Sequence, residues 1–216
     1  MWLLCIFLSS FLGKEGILSF IYAFLFTYVG HLSLHDDLFY FFPYSILHRY
    51  HHDNKYISTY ISNILSEFSM MTSFLLLPTC IGISINPWSI LFNWLIYTSV
   101  HYINYSWFHI NEYHEKHHEQ IETNIYPDII DALFGTKHTN TPLLENVTHV
   151  LPNIIIAFVI TLWFKDHYHE SWKPRIYTLW TIIFILLLIH SGIILTNLNI
   201  LYSSDKNDGL SPCSHT

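Results

Sequence analysis

The pattern H-x-x-H-H occurs twice in the chain, at 48–52 and at 114–118, and the two copies flank a pair of apolar runs. The runs, 68–85 and 88–108, are joined by Asn86-Pro87. So tight a joint predicts a helical hairpin that returns the chain to the side from which it left. Both histidine-rich segments are then brought to one end of the same structure. Apolar residues make up 51% of the 216 residues, aromatics 18% and charged residues only 12%. A soluble domain carries about 25% charge, so this balance predicts a membrane protein. The expected fold is all-α: an integral membrane helical bundle of about four to six membrane helices, with a histidine-rich cytosolic cap, over a single domain spanning 1–216.

Other segments fit this plan. Residues 2–12 and 17–30 are apolar and separated by Gly-Lys-Glu-Gly. Each is short for a bilayer that needs about 20 apolar residues, so they read as one interrupted span or a shallow hairpin. The apolar start, with no basic stretch and no small-residue cleavage site, predicts a retained membrane segment. Residues 153–195 hold a further apolar helix pair, and the polar tail, 203–216, reads as disordered. Lys and Arg lean towards the histidine side: Arg49, Lys55, Lys116, Lys137 and Lys206, against Lys165, Lys173 and Arg175 opposite. That bias places the histidines in the cytosol, so the sequon at Asn146 is expected to carry no glycan. Net charge is -7, and the nine Lys and Arg residues are scattered, which argues against a nucleic-acid partner. Cys5, Cys80 and Cys213 lack metal-ligand or redox spacing and read as small hydrophobes.

The chemistry of the chain therefore falls to its 16 histidines. His31 and His35 (HLSLH) are four apart, one turn above the other on a helix. His48, His51 and His52 (HRYHH) stand at offsets 0, 3 and 4, which gathers three imidazoles into one stripe. His114, His117 and His118 (HEKHH) repeat that geometry. His101 lies inside the apolar run before the third box, and His109 lies just beyond it. Two adjacent metals need roughly eight to ten ligands, and convergent imidazoles suit a transition metal. Asp36, Asp37, Glu112, Glu115 and Glu119 flank the boxes and are candidates to accept the second N–H of a ligating ring. His149, His167, His169, His190 and His215 stand alone and read as ordinary core or surface residues.

Competing readings exist. Residues 114–118 also match H-E-x-x-H, the zinc-peptidase pattern, so a membrane zinc hydrolase is one alternative. A non-catalytic metal- or haem-binding membrane protein is another, although it would place histidines within facing spans. No nucleophile elbow, P-loop or dinucleotide fingerprint is present.

The ordered series HLSLH, HRYHH and HEKHH, followed by Asn124, Tyr126 and the string DALFGT at 131–136, resembles the fatty acid hydroxylase superfamily of sterol desaturases and fatty acid hydroxylases. The resemblance covers about residues 17–137. It implies a di-iron centre, with zinc as the alternative occupant, held by His31, His35, His48, His51, His52, His101, His114, His117 and His118. It further implies an O2-dependent oxidoreductase of the endoplasmic reticulum that hydroxylates or desaturates a lipid: fatty acyl, sphingolipid or sterol. Electrons would come from an external donor such as a b-type cytochrome. The chain departs from the pattern at position 105, where Tyr stands four residues after His101 in place of a second histidine. The His-Arg pair usual in the first box is also missing.

Overall fold

A computed structural model describes residues 1–35, 42–53, 57–125, 128–139 and 147–208. All regular structure among them is helical. Helices α1 (Trp2–Ser9), α2 (Gly16–His35), α3 (Tyr44–Asp53), α4 (Ile57–Cys80) and α5 (Pro87–Ser99) are followed by a π-helical stretch, Val100–Trp107. Then come α6 (Tyr113–Glu119), α7 (Asp128–Phe134), α8 (Leu151–His167) and α9 (Lys173–Asp208).

The central layer is α2, α4 and α5, with α8 against α5 and α9 against α4. Two apolar clusters hold these layers. One joins Cys5, Leu12, Phe20, Phe92, Ile96 and Ile154, from α1 and the turn after it, α2, α5 and α8. The other joins Leu34, Tyr44, Leu47, Met70, Leu187 and Ile194, which locks α3 and α9 onto α2 and α4. Gly16 allows α1 and α2 to cross closely. A Cβ there would lie 2.1 Å from the Ser9 carbonyl oxygen, so only glycine fits.

Among the described residues, three helical segments are long and apolar enough to cross a membrane: Gly16–His35, Thr148–His167 and Glu170–Asn197. They turn large apolar side chains outward, Leu18, Val159 and Leu186 among them. An exposed apolar surface of this extent fits lipid better than water. The expected hairpin is formed by α4 and α5. However, α4 starts well before the apolar run, and it buries Asn63, Ser66 and Glu67 towards the bundle interior. The N-terminal runs form a short hairpin rather than one interrupted span. The last helix continues to Asp208, five residues past the expected start of the disordered tail, and the sequon at Asn146 lies outside the described residues.

Asn86 fastens the end of the bundle remote from the histidines. Its Oδ1 accepts from the backbone N–H of Trp88 (3.0 Å) and Ser89 (3.2 Å), capping α5, with Pro87 in the first turn. Its Nδ2 donates to the carbonyls of Leu12 (3.3 Å) and Lys14 (3.0 Å), and its own N–H donates to Ser19 Oγ (2.8 Å). One buried side chain thus ties the α4–α5 turn to the α1–α2 turn. Asn86→Ala should lower stability by about 1–3 kcal/mol, from a lost cap and unpaired carbonyls. Asn86→Asp keeps the cap but sets a second acceptor against the Leu12 and Lys14 carbonyls, so it should lower stability as well. Thermal unfolding in detergent measures both, and an unchanged midpoint for the alanine variant would contradict this role.

Candidate metal centre

Four short pieces of chain deliver imidazoles to the other end of the bundle. The last turn of α2 presents His31 and His35. The short helix α3 presents His48, His51 and His52, and α6 presents His114, His117 and His118. Arg49 secures α3 to the end of α2 by donating to the His35 carbonyl (2.9 Å) and, less closely, to that of Leu34 (3.4 Å). A cation there also suits the negative end of the helix dipole. His101 sits in the π-helical stretch, where Ser106 Oγ donates to its carbonyl (2.9 Å). Widened turns of this kind re-aim side chains and recur at functional sites. Here His101 and Tyr105 are both buried, and both rings pack near His114, at 4.3 and 6.3 Å between centroids.

Among the described residues the histidines form two groups with converging ring nitrogens: His31, His35, His48 and His117, and His51, His114 and His118. His52 lies between them, stacked on His118 at 4.1 Å. The Nε2 of His48 is 3.1 Å from the Nε2 of each of His31, His35 and His52. One ring nitrogen carries either a single proton or a single lone pair, so these three contacts cannot all be hydrogen bonds. Imidazole nitrogens bound to one ion at about 2.1 Å, and roughly at right angles, lie about 3 Å apart. In the second group, His114 and His118 Nε2 are 2.8 Å apart. Both nitrogens of His51, together with His101 Nε2 and His117 Nε2, are buried without a hydrogen-bond partner among the described residues. Convergent, neutral, partnerless nitrogens fit a histidine-bound transition-metal pair.

Electrostatics points the same way. Burial, followed by the neighbouring rings of His118 and His117, lowers the His51 pKa to about 3. Burial lowers His117 to about 4, against a raising contribution from the Thr123 carbonyl. His48, His52 and His114 are pushed below the ordinary range, again chiefly by burial. Desolvation thus keeps these rings neutral, the form that binds metal.

The second ring nitrogens are held differently from expectation. His31 Nδ1 donates to the Ile125 carbonyl and His117 Nδ1 to the Thr123 carbonyl, both at 2.8 Å. For these two rings backbone takes the role foreseen for the flanking carboxylates. Glu115 is half-exposed and pairs with exposed His109 at 3.0 Å, and Glu119 pairs with Lys116 at 2.8 Å. Asp36 and Asp37 lie outside the described residues. His109 is thereby off both groups. So are the lone histidines His149, His167, His169 and His190, while His215 lies outside the described residues.

Glu67, Tyr97 and Tyr102, outside every histidine box, also adjoin the site. Tyr97 Oη lies 3.2 Å from His31 Nδ1. The buried Glu67 carboxylate accepts from Tyr102 Oη (2.9 Å) and from Thr98 Oγ1 and Asn63 Nδ2 (both 3.4 Å). An acid adjoining an apolar run was the available signal, since ionisable groups inside such bundles are costly and usually functional.

The pH dependence follows from the lowered values. Unfolded histidines protonate near pH 6.5, whereas folded His51 and His117 stay neutral down to about 3 and 4. Their contribution is complete above pH 6.5 and is lost as the pH falls through 6.5 towards 4. The metal-free protein should therefore melt at a lower temperature at pH 5 than at pH 7.5, and a higher melting point at pH 5 would contradict buried neutral imidazoles. In comparisons with known proteins, no family model matches this chain, no curated protein matches it, and no solved structure matches it.

Proposed function

We propose that the chain is a membrane-bound di-iron oxidoreductase that uses O2 to hydroxylate or desaturate a lipid: fatty acyl, sphingolipid or sterol. The observation that carries this reading is the convergence of three separate histidine boxes on two adjoining groups at one end of an apolar helical bundle. Iron bound there would supply the O2 activation that oxidation of an unactivated C–H bond requires. His31, His35, His48 and His117 would hold one ion, and His51, His114 and His118 the other, with His52 and His101 beside them as further ligands. The burial that keeps these rings neutral also limits water at the site. An outward apolar surface on α2, α8 and α9 would admit the substrate from the bilayer. Electrons would come from an external carrier such as a b-type cytochrome, and the membrane would be the endoplasmic reticulum, with the boxes in the cytosol.

The zinc-hydrolase alternative requires Glu115 to face the metal as general base. Its half-exposed carboxylate pairs instead with His109, which favours the oxidase. Metal analysis of the purified protein, with lipid profiling of cells that express it, tests the reading. The expected result is about two irons per chain and a new oxidised lipid. His48→Ala should lose both, and Glu115→Gln should keep both. One zinc per chain, no lipid change, and lost hydrolytic activity in Glu115→Gln with metal retained would overturn it.

A further inference from the structure

The loop that follows α6 reaches histidines from two different boxes. Thr123 and Ile125 each turn a backbone carbonyl to a ring N–H, that of His117 and that of His31. A carbonyl only accepts, so both rings carry their proton on Nδ1 and offer Nε2 to the four-histidine group. Tyr97 Oη, which also approaches His31 Nδ1, does not alter that assignment, because the carbonyl has already fixed the nitrogen as a donor.

Between these carbonyls stands Asn124, with φ +50°. Left-handed backbone is costly for most residues, but Asn tolerates it. The side chain then uses both of its ends: Nδ2 donates to the Tyr113 carbonyl at the start of α6 (3.2 Å), and Oδ1 accepts from His138 N–H (3.1 Å). Asn124 N–H donates to the Thr136 carbonyl (2.8 Å). Asp131 completes the brace. Its fully buried carboxylate accepts from Ile125 N–H (3.1 Å) and Thr136 Oγ1 (2.6 Å) through the same oxygen. Thr136 in turn meets Tyr28 Oη at 3.0 Å, which docks the brace on α2 one turn before His31.

We propose that Asn124 and Asp131 are positioning residues for the metal centre. They hold the carbonyls of Thr123 and Ile125 where they fix the tautomer and ring orientation of His117 and His31. This gives the Asn124 and DALFGT elements of the sequence a physical task, and it rests on the reading that these histidines bind metal.

The probe is Co2+, titrated into metal-free full-length protein in detergent and followed by its visible absorption. Asp131→Ala should weaken Co2+ binding about 10- to 100-fold and shift the ligand-field bands, while the helical circular dichroism of the metal-free protein stays the same. Asp131→Asn, which keeps an acceptor oxygen, should recover most of the affinity. Asn124→Gly preserves the backbone conformation but removes both side-chain bonds, and should show the same band shift. Unchanged Co2+ affinity and spectrum in Asp131→Ala would overturn the proposal and leave the metal site standing. Should Asp131→Ala fail to fold, 15N-histidine NMR of the unaltered metal-free chain decides, with His31→Gln and His117→Gln assigning the signals. Both rings protonated on Nδ1 support the proposal, and either ring protonated on Nε2 overturns it. Failure of the unaltered chain to bind Co2+ would remove the metal-site reading itself.

Discussion

A ring nitrogen taken out of water needs a partner, and among the described residues both nitrogens of His51, with His101 Nε2 and His117 Nε2, are buried without one. Three Nε2 atoms crowd a fourth on His48 at one common distance. Protons cannot satisfy that arrangement, and protonation would set like charges side by side in a desolvated place. A shared cation would satisfy it. The other features of the histidine end follow from this need: the close succession of α2, α3 and α6, the widened turns around His101, and the carbonyls that hold the outer nitrogens.

The remote end of the bundle supplies the rigidity that such a cluster demands. Asn86 ties two turns together, and Gly16 lets α1 and α2 cross without a side chain between them. Between the ends, polar pairs replace some of the packing. Asn93 Nδ2 donates to Thr27 Oγ1 at 2.9 Å, and Glu67 gathers Tyr102, Thr98 and Asn63. Interhelical hydrogen bonds of this kind fix which faces of α2, α4 and α5 meet. They thereby fix the angle at which the histidines leave the bundle.

Much of this was legible in residue spacing. Offsets of three and four foretold which histidines share a helix face, and the Asn86-Pro87 joint foretold the hairpin that brings distant boxes together. The length of α4 was not legible, because its first turns are polar on the inward face, and an apolar-run reading starts only where that face turns apolar, towards Met70 and Met71. The outer partners of the imidazoles were missed for a different reason. Backbone carbonyls have no signature in sequence, whereas Glu115 and Glu119, which do, turn outward to His109 and Lys116. Tyr105 broke the expected histidine spacing, yet the π-helical turns still bury it beside His114. Spacing rules built on regular α-helix do not anticipate that.

On the proposed reading, imidazole nitrogens drawn from all three boxes bind the metal ions. X-ray absorption of the purified, iron-loaded protein at the iron edge tests it most directly. The expected result is a shell dominated by imidazole nitrogen at about 2.1 Å, with the outer-ring scattering typical of several histidines per iron. A shell of sulfur, or of oxygen with few imidazoles, would contradict it.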